Sequence, residues 1–362
     1  MTAACCWGVS ASLSLFLEYA DLTALPLSTV AEAASGEPSL ERAKQLVHDD
    51  MAKVNALILD RLQSEVNMIP ELARHLIAAG GKRIRPTLTL LSARLSGHQE
   101  DRHIGLATAV EFIHTATLLH DDVVDESDLR RGRSTANSLW GNKAPVLVGD
   151  FLFSRAFQLM VADGNLRVLG ILSDASAVIA EGEVAQLLTA GDVSTTEPAY
   201  FEVIRAKTAA LFRAACQIGA VVADREPEAE AALCKYGEEL GIAFQLVDDA
   251  LDYSAREAML GKTIGDDFRE GKASLPVLMA YAAGSAEERL FWERVIDAPE
   301  KQTDSDLDEA QRLLARHGTL DATFTQARAA GERARSALHS FPPSPHRDAM
   351  EDIIDFSIAR AY

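Results

Sequence analysis

The chain has 362 residues, 48% of them hydrophobic and 25% charged, so it can bury a sizeable core and shows no compositional sign of disorder. Asp and Glu total 54 against 35 Lys and Arg, a formal net charge of −19. That balance excludes a sequence-independent nucleic-acid binder, which needs a basic footprint, but not phosphate chemistry, because carboxylates reach phosphate through a divalent metal.

Four cysteines, Cys5, Cys6, Cys216 and Cys234, make neither a disulfide framework nor a zinc-site spacing. A reducing cytoplasm is the expected compartment. The uncharged stretch from Met1 to Leu17 lacks the basic residues that open a secretory signal, and Ser10, Ser12 and Ser14 dilute it. It also falls short of the ~20 apolar residues of a membrane span. Pro26, Gly36 and Pro38 punctuate the stretch before Ser39. Residues 1–39 therefore read as a poorly ordered extension and 40–362 as one domain.

From Leu40 onward apolar residues recur at helical spacing. Leu46, Val47, Val54, Leu57, Ile58 and Leu62 make one stripe. Leu72, Leu76 and Ile77 make another, ended by Gly80 and Gly81. Leu88, Leu91, Ala93 and Leu95 read as a buried helix stopping at Gly97. Ile104 to Val124 is a long helix with few polar residues, expected near the centre. Ser194 to Glu197 has capping-box spacing and opens a helix from Ala199 to Val222, and Leu233 to Tyr253 is another. No segment alternates with period two for long, and there is no repeat. The reading is one all-α domain of about ten or more helices.

Two acidic clusters interrupt otherwise apolar helices. In His120-Asp121-Asp122-Val123-Val124-Asp125, Asp121 and Asp125 lie four apart and share a helix face. Val247-Asp248-Asp249-Ala250-Leu251-Asp252 repeats the device. One such cluster is more often solvated helix surface. Two, each set among Leu, Val and Phe, are not, and like charges so placed call for a cation. Oxygen-only donors suit Mg²⁺, which shares its coordination with substrate phosphates. Basic residues accompany them: Lys82, Arg83 and Arg85; Arg130, Arg131 and Arg133; Lys207 beside Thr208; Lys262; Lys272. Arg forks match phosphate oxygens and Lys acts as a point charge. Gly261-Lys262-Thr263 is no P-loop, because the required upstream glycine would be Arg256. Two metal-binding faces and two basic sets imply two phosphate-bearing substrates.

With these residues in view, the chain resembles the trans-isoprenyl diphosphate synthases, or polyprenyl synthetases. The matching strings are Gly80 to Pro86, Glu111 to Gly132, Gly149 to Leu152, Glu181-Gly182-Glu183 with Gln186, Lys207-Thr208, Phe244 to Asp249 with Asp252, and Gly271 to Pro276. They run in the family's order over about 40–362. Ser274 stands where the family usually has threonine. The resemblance implies Asp121, Asp125, Asp248 and Asp252 as Mg²⁺ ligands, three ions with substrate bound, supported by Asp122 and Asp249. It implies Arg130, Lys207, Thr208, Gln245, Lys262 and Lys272 around an allylic diphosphate. Lys82, Arg85, His114 and Arg131 would hold isopentenyl diphosphate. His114 sits seven residues, two helical turns, before Asp121.

Val110, Ile113, Ala116 and Thr117 would line the tunnel for the growing chain. Short-chain relatives block it with an aromatic residue near Ala116. The small residues here resemble those of synthases of octaprenyl to decaprenyl length, precursors of quinone side chains such as that of ubiquinone. A farnesyl or geranylgeranyl diphosphate synthase is the alternative. A terpene cyclase would not use the second basic set, and a non-catalytic subunit would lose one aspartate cluster. The resemblance also implies a single-domain antiparallel helical bundle around a central cavity and a homodimer; with no membrane span expected from the sequence, peripheral membrane contact for product release stays open.

Overall fold

The computed structural model describes residues 39–78, 81–130, 133–254 and 265–359, within one compact unit, Pro38–Tyr362. The expected extension, except Ser39, lies outside the described residues, as do Arg131 and Lys262. The helices are α1 Glu41–Leu46, α2 His48–Arg61, α3 Met68–Ala78, α4 Ile84–Leu95, α5 Arg102–Val124, α6 Ala136–Trp140, α7 Lys143–Asp163, α8 Leu166–Thr189 and α9 Glu197–Ile204. A π-helical turn, Arg205–Ala209, runs on into α10 Ala210–Val222. There follow α11 Pro227–Asp252, α12 Asp266–Arg269, α13 Leu275–Ala283, α14 Ala286–Ile296, α15 Asp306–His317, α16 Thr319–Leu338 and α17 Pro345–Ala359. The fold is all-α, as the sequence predicts.

The two helices that carry the acidic clusters are long and packed deep in the bundle. On α5, Leu106, Val110, Phe112, Ile113, Ala116 and Leu119 are buried, on faces turned to α7, α4, α2 and α10. Burying each of the larger side chains is worth about 1.5–3 kcal/mol relative to exposure. On α11, Leu233, Tyr236, Leu240, Leu246, Val247 and Leu251 are buried between α10 and α16. This all-round apolar character is why both helices hold their acidic ends inside the molecule instead of on a solvated face.

Three sequence readings need correction. First, a two-residue antiparallel pair exists, with Leu129 opposite Ser134 and Arg130 opposite Arg133; strands this short leave no periodicity to read. Second, Thr196, not Ser194, caps α9, its hydroxyl accepting from the Ala199 amide at 3.4 Å, while the Ser194 hydroxyl turns to Asp192. Pro198 in the first turn sets that start. The reciprocal capping box of this chain is Ser285 with Glu288, at α14. Third, Lys207 and Thr208 lie in the π turn and not in regular α-helix.

Among the described residues, α7 is long and apolar enough to cross a membrane. Its Val148, Leu152, Ala156 and Met160 are nevertheless buried against the rest of the bundle, as in a core helix of an ordinary globular domain.

Candidate functional site

The last turn of α5 brings the first acidic cluster to the mouth of the bundle. Asp122 points inward, 1% exposed, and accepts from Arg130 Nε at 2.7 Å. Burial pushes its carboxyl up, and the Arg130 guanidinium opposes that rise. Asp121 stays half-buried. Loss of water pushes its carboxyl up to about 7; Glu183 and Asp125 add to the rise, and Lys207 and Arg130 work against it. A carboxylate in that state is poorly compensated by the protein alone and gains from a cation. Asp125, just past the helix end, meets Lys272 Nζ at 3.1 Å.

The second cluster has the same spacing and a different set of partners. Asp249 is buried and accepts from the Tyr200 hydroxyl and, at 2.6 Å, from Gln245 Nε2. Burial pushes Asp249 up to about 6, against those two hydrogen bonds. Asp252 caps α12: its two oxygens accept the Asp266 and Asp267 amides, each at 3.1 Å. Each Asp252 oxygen keeps a lone pair beyond its amide bond, so those bonds fix the carboxylate without barring it from a metal. Asp248, next to Asp249 on α11, is half-buried.

Lys272 links the first cluster to Asp267, whose amide is held by Asp252. Its ammonium reaches Asp125, Asp267 at 3.8 Å and Glu270 at 2.5 Å. Although burial disfavours its charge, these three carboxylates hold it firmly protonated. Lys207 pairs with Glu183 at 2.7 Å, and Thr208 donates to Gln245 Oε1 at 2.7 Å. The close packing of the π turn makes this possible. A side chain at Gly182 on α8 would come within 2.8 Å of Ala206 Cβ, and one at Gly241 on α11 within 2.6 Å of Ala209 Cα. Both glycines let neighbouring helices press directly on the π turn.

A separate basic station lies at the start of α4. Arg83 adopts φ 50° and pairs with Glu111. Arg85 Nη1 lies 3.1 Å from His114 Nε2, and its guanidinium stacks 4.4 Å from the Phe212 ring. The Lys82 ammonium lies 4.5 Å over the Phe356 ring of α17. Val110, Ile113 and Ala116 are fully buried on α5 below the acidic turn, and the Thr117 hydroxyl donates to the His114 carbonyl at 2.8 Å.

The structure thus brings Asp121, Asp122, Asp125, Arg130, Lys207 and Lys272 into one charged surround, and Thr208, Gln245 and Asp249 into an adjoining hydrogen-bonded row. Sequence reasoning missed Tyr200, Asp267 and Glu270 here and gave Glu183 no role beyond its motif. Glu183 was findable, because Gly182 beside it marks a close backbone approach. Tyr200 carried no signal, lying forty-nine residues from its partner. Among the described residues no three carboxylates, histidines or cysteines converge tightly enough to chelate a metal unaided. The donor set fits Mg²⁺ all the same: oxygen-only carboxylates, one of them under-compensated, with coordination to be completed by phosphate and water.

The polyprenyl synthetase family model matches residues 66–314. Octaprenyl diphosphate synthase of Escherichia coli (strain K12) is 45% identical over 322 residues, 89% of this chain and 99% of its own. A crystal structure of polyprenyl synthase from Caulobacter crescentus CB15, complexed with calcium and isoprenyl diphosphate, matches with a TM-score of 0.87 at 52% identity, over 91% of this chain and 100% of that one. A decaprenyl diphosphate synthase from Rhodobacter capsulatus matches with a TM-score of 0.86, also at 52% identity, over 90% and 100%. With the helical fold, the ordered motifs and full-length similarity in agreement, the chain belongs to the polyprenyl synthetase family.

Proposed function

We propose that the chain is a trans-prenyltransferase that joins isopentenyl diphosphate head-to-tail onto an allylic diphosphate and repeats the addition to a long all-trans polyprenyl diphosphate. The observation that carries this reading is the pair of acidic helix ends, one of them paired with Lys272, with the Arg85–His114 station set apart from them. One diphosphate belongs to each.

Asp121, Asp125, Asp248 and Asp252 would hold Mg²⁺, three ions with substrate bound, with Asp252 held in place by the α12 amides. When bound, the metal neutralises charge on the leaving diphosphate. Arg130, Lys207 and Lys272 add positive charge to the same group. Thr208 and Gln245 orient it; Lys262, assigned to the same diphosphate by the resemblance, lies outside the described residues. Asp122 and Asp249 act indirectly, by fixing Arg130 and Gln245. Lys82, Arg85, His114 and Arg131 position isopentenyl diphosphate so that its double bond faces the allylic carbon as the C–O bond breaks. The proton then lost goes to the released pyrophosphate. No side-chain nucleophile takes part.

Product length depends on the buried stretch below Asp121. Ala116 and Thr117 leave room for the chain, and the similarity to octaprenyl and decaprenyl synthases supports a product in that range, used for quinone side chains such as that of ubiquinone. Ala116→Phe should shift products to shorter chains; an unchanged spectrum from folded protein refutes this. The assembly is read as a homodimer. Leu147, Phe157 and Val161 recur at helical spacing on the exposed side of α7, and Leu166, Val184 and Leu187 stand exposed on α8, an apolar expanse suited to a second copy. Cys216 and Cys234 are free thiols, which suits the cytoplasm. Incubation with Mg²⁺, labelled isopentenyl diphosphate and a farnesyl primer, followed by sizing of the products, tests the whole reading. No elongation by the wild-type protein would sink it.

A further inference from the structure

We infer that Tyr200 is a positioning residue for the allylic diphosphate, acting through Asp249 and Gln245. The inference rests on the proposed function. Tyr200 lies in the second turn of α9, only 6% exposed, among Ile204, Ala209, Ile242, Leu246 and Leu275. A phenol in such surroundings needs a partner, and its partner is the inward carboxylate of the second acidic cluster. The other Asp249 oxygen accepts Gln245 Nε2. Gln245 Oε1 accepts the Thr208 hydroxyl. Every donor in this row points toward Asp249.

That direction fixes the chemistry presented to the diphosphate. The Gln245 carboxamide can face only one way, with nitrogen toward Asp249 and oxygen toward Thr208. One N–H remains on Gln245 for a phosphate oxygen. Were the Tyr200 bond lost, Asp249 could turn, the amide could flip, and a carbonyl would face the anion. The backbone supports the same row. In a regular α-helix, residues eight apart diverge by about 80° around the axis, and the π turn between Tyr200 and Thr208 takes up most of that difference. Both side chains can then reach α11. Tyr200 itself touches no substrate.

Tyr200→Phe removes one hydroxyl and keeps the ring. It should raise KM for the allylic diphosphate about tenfold, the value of one hydrogen bond to a charged group. KM for isopentenyl diphosphate should stay within about twofold, because Arg85 and His114 are untouched. Tyr236→Phe supplies the control: its buried hydroxyl donates to the Met350 carbonyl at 2.8 Å, away from the row, so it should cost similar stability and leave both KM values in place. A double-mutant cycle with Gln245→Leu should show that Tyr200→Phe adds nothing once the amide is gone. An unchanged allylic KM in folded Tyr200→Phe, equal rises in both KM values, or additive effects in the cycle would each overturn the inference. If Tyr200→Phe does not fold, 3-fluorotyrosine placed at position 200 keeps ring and hydroxyl. Its fluorine resonance should shift with allylic diphosphate and Mg²⁺ and stay put with isopentenyl diphosphate alone; a resonance indifferent to the allylic ligand overturns the inference. Inactive wild-type protein would instead strike at the proposed function, so the two failures are distinct.

Discussion

Two charged clusters inside this bundle are built on opposite terms. At the base of α2, Asp50 meets Arg94 through two hydrogen bonds of 2.9 Å and His103 Nε2 at 2.9 Å. Burial works to raise the Asp50 carboxyl, but the bonds from His103 and Arg94 win and hold it below its usual range. Charge is balanced there, and the cluster ties α2 to α4 and α5. At the mouth of the bundle, among the described residues, carboxylates outnumber cations. Asp121 and Asp249 are pushed up to about 7 and about 6, and Asp267 is also raised, chiefly by burial. A balanced cluster serves the fold. An unbalanced one costs folding energy and is understandable only if something cationic arrives with the substrate.

This contrast can be broken from either end. The largest effect should come from Asp121→Ala or Asp248→Ala, with turnover lower by roughly a thousandfold or more. The melting temperature should be unchanged or higher, because an under-compensated charge has been removed. Near-normal turnover in the presence of Mg²⁺ would refute the assignment. Lys272→Ala should lower turnover about a hundredfold, since the remaining carboxylates would then repel one another. A loss of stability without any kinetic change would show that Lys272 serves only the fold.

The balanced cluster should give the reverse pattern. Asp50→Ala leaves Arg94 and His103 facing each other and should cost about 3 kcal/mol or more of stability. Turnover of the protein that remains folded should stay within about twofold of wild type. Denaturant titration with parallel kinetics reads both, and a large kinetic defect would erase the distinction between the clusters.

The smallest effect is on pH. Burial holds His103 below its ordinary value of 6.5, opposed by Asp50, and burial together with Arg94 does the same to His98. The folded state therefore binds fewer protons on these rings than the unfolded chain. The stability they contribute is present above pH 6.5 and is lost as pH falls below it. Between pH 7 and pH 5 the raised carboxyls of Asp121 and Asp249 work the other way, gaining stability as they take up protons, so the histidine share is read as a difference: over that range the wild-type melting temperature should fall relative to that of His103→Asn. An equal slope in wild type and variant would assign the acid sensitivity elsewhere.

Much of this was legible in the chain. The helical spacing gives α5 to within two residues and the C-terminal ends of α4 and α11, because each buries apolar side chains that recur with the helical period; α11 starts at Pro227, six residues before the predicted Leu233. Asp121, Asp122, Asp125, Asp248 and Asp249 stand out because charge inside apolar sequence is costly without a purpose. Arg130, Lys207 and Lys272 could be suspected from their motifs, but not their partners.

The sequence by itself determined that the protein is helical, that two acidic clusters sit in apolar helices, and which family it belongs to, since all three rest on local periodicity and on ordered motifs. Only the tertiary structure decided which carboxylate does what. Identical spacing leaves Asp125 on Lys272 and puts Asp252 on the amides of α12, because a carboxylate's charge state and reach depend on donors brought from far along the chain. For the same reason Tyr200 joins the site unannounced. A hydrogen bond across forty-nine residues leaves no trace in composition, period or spacing.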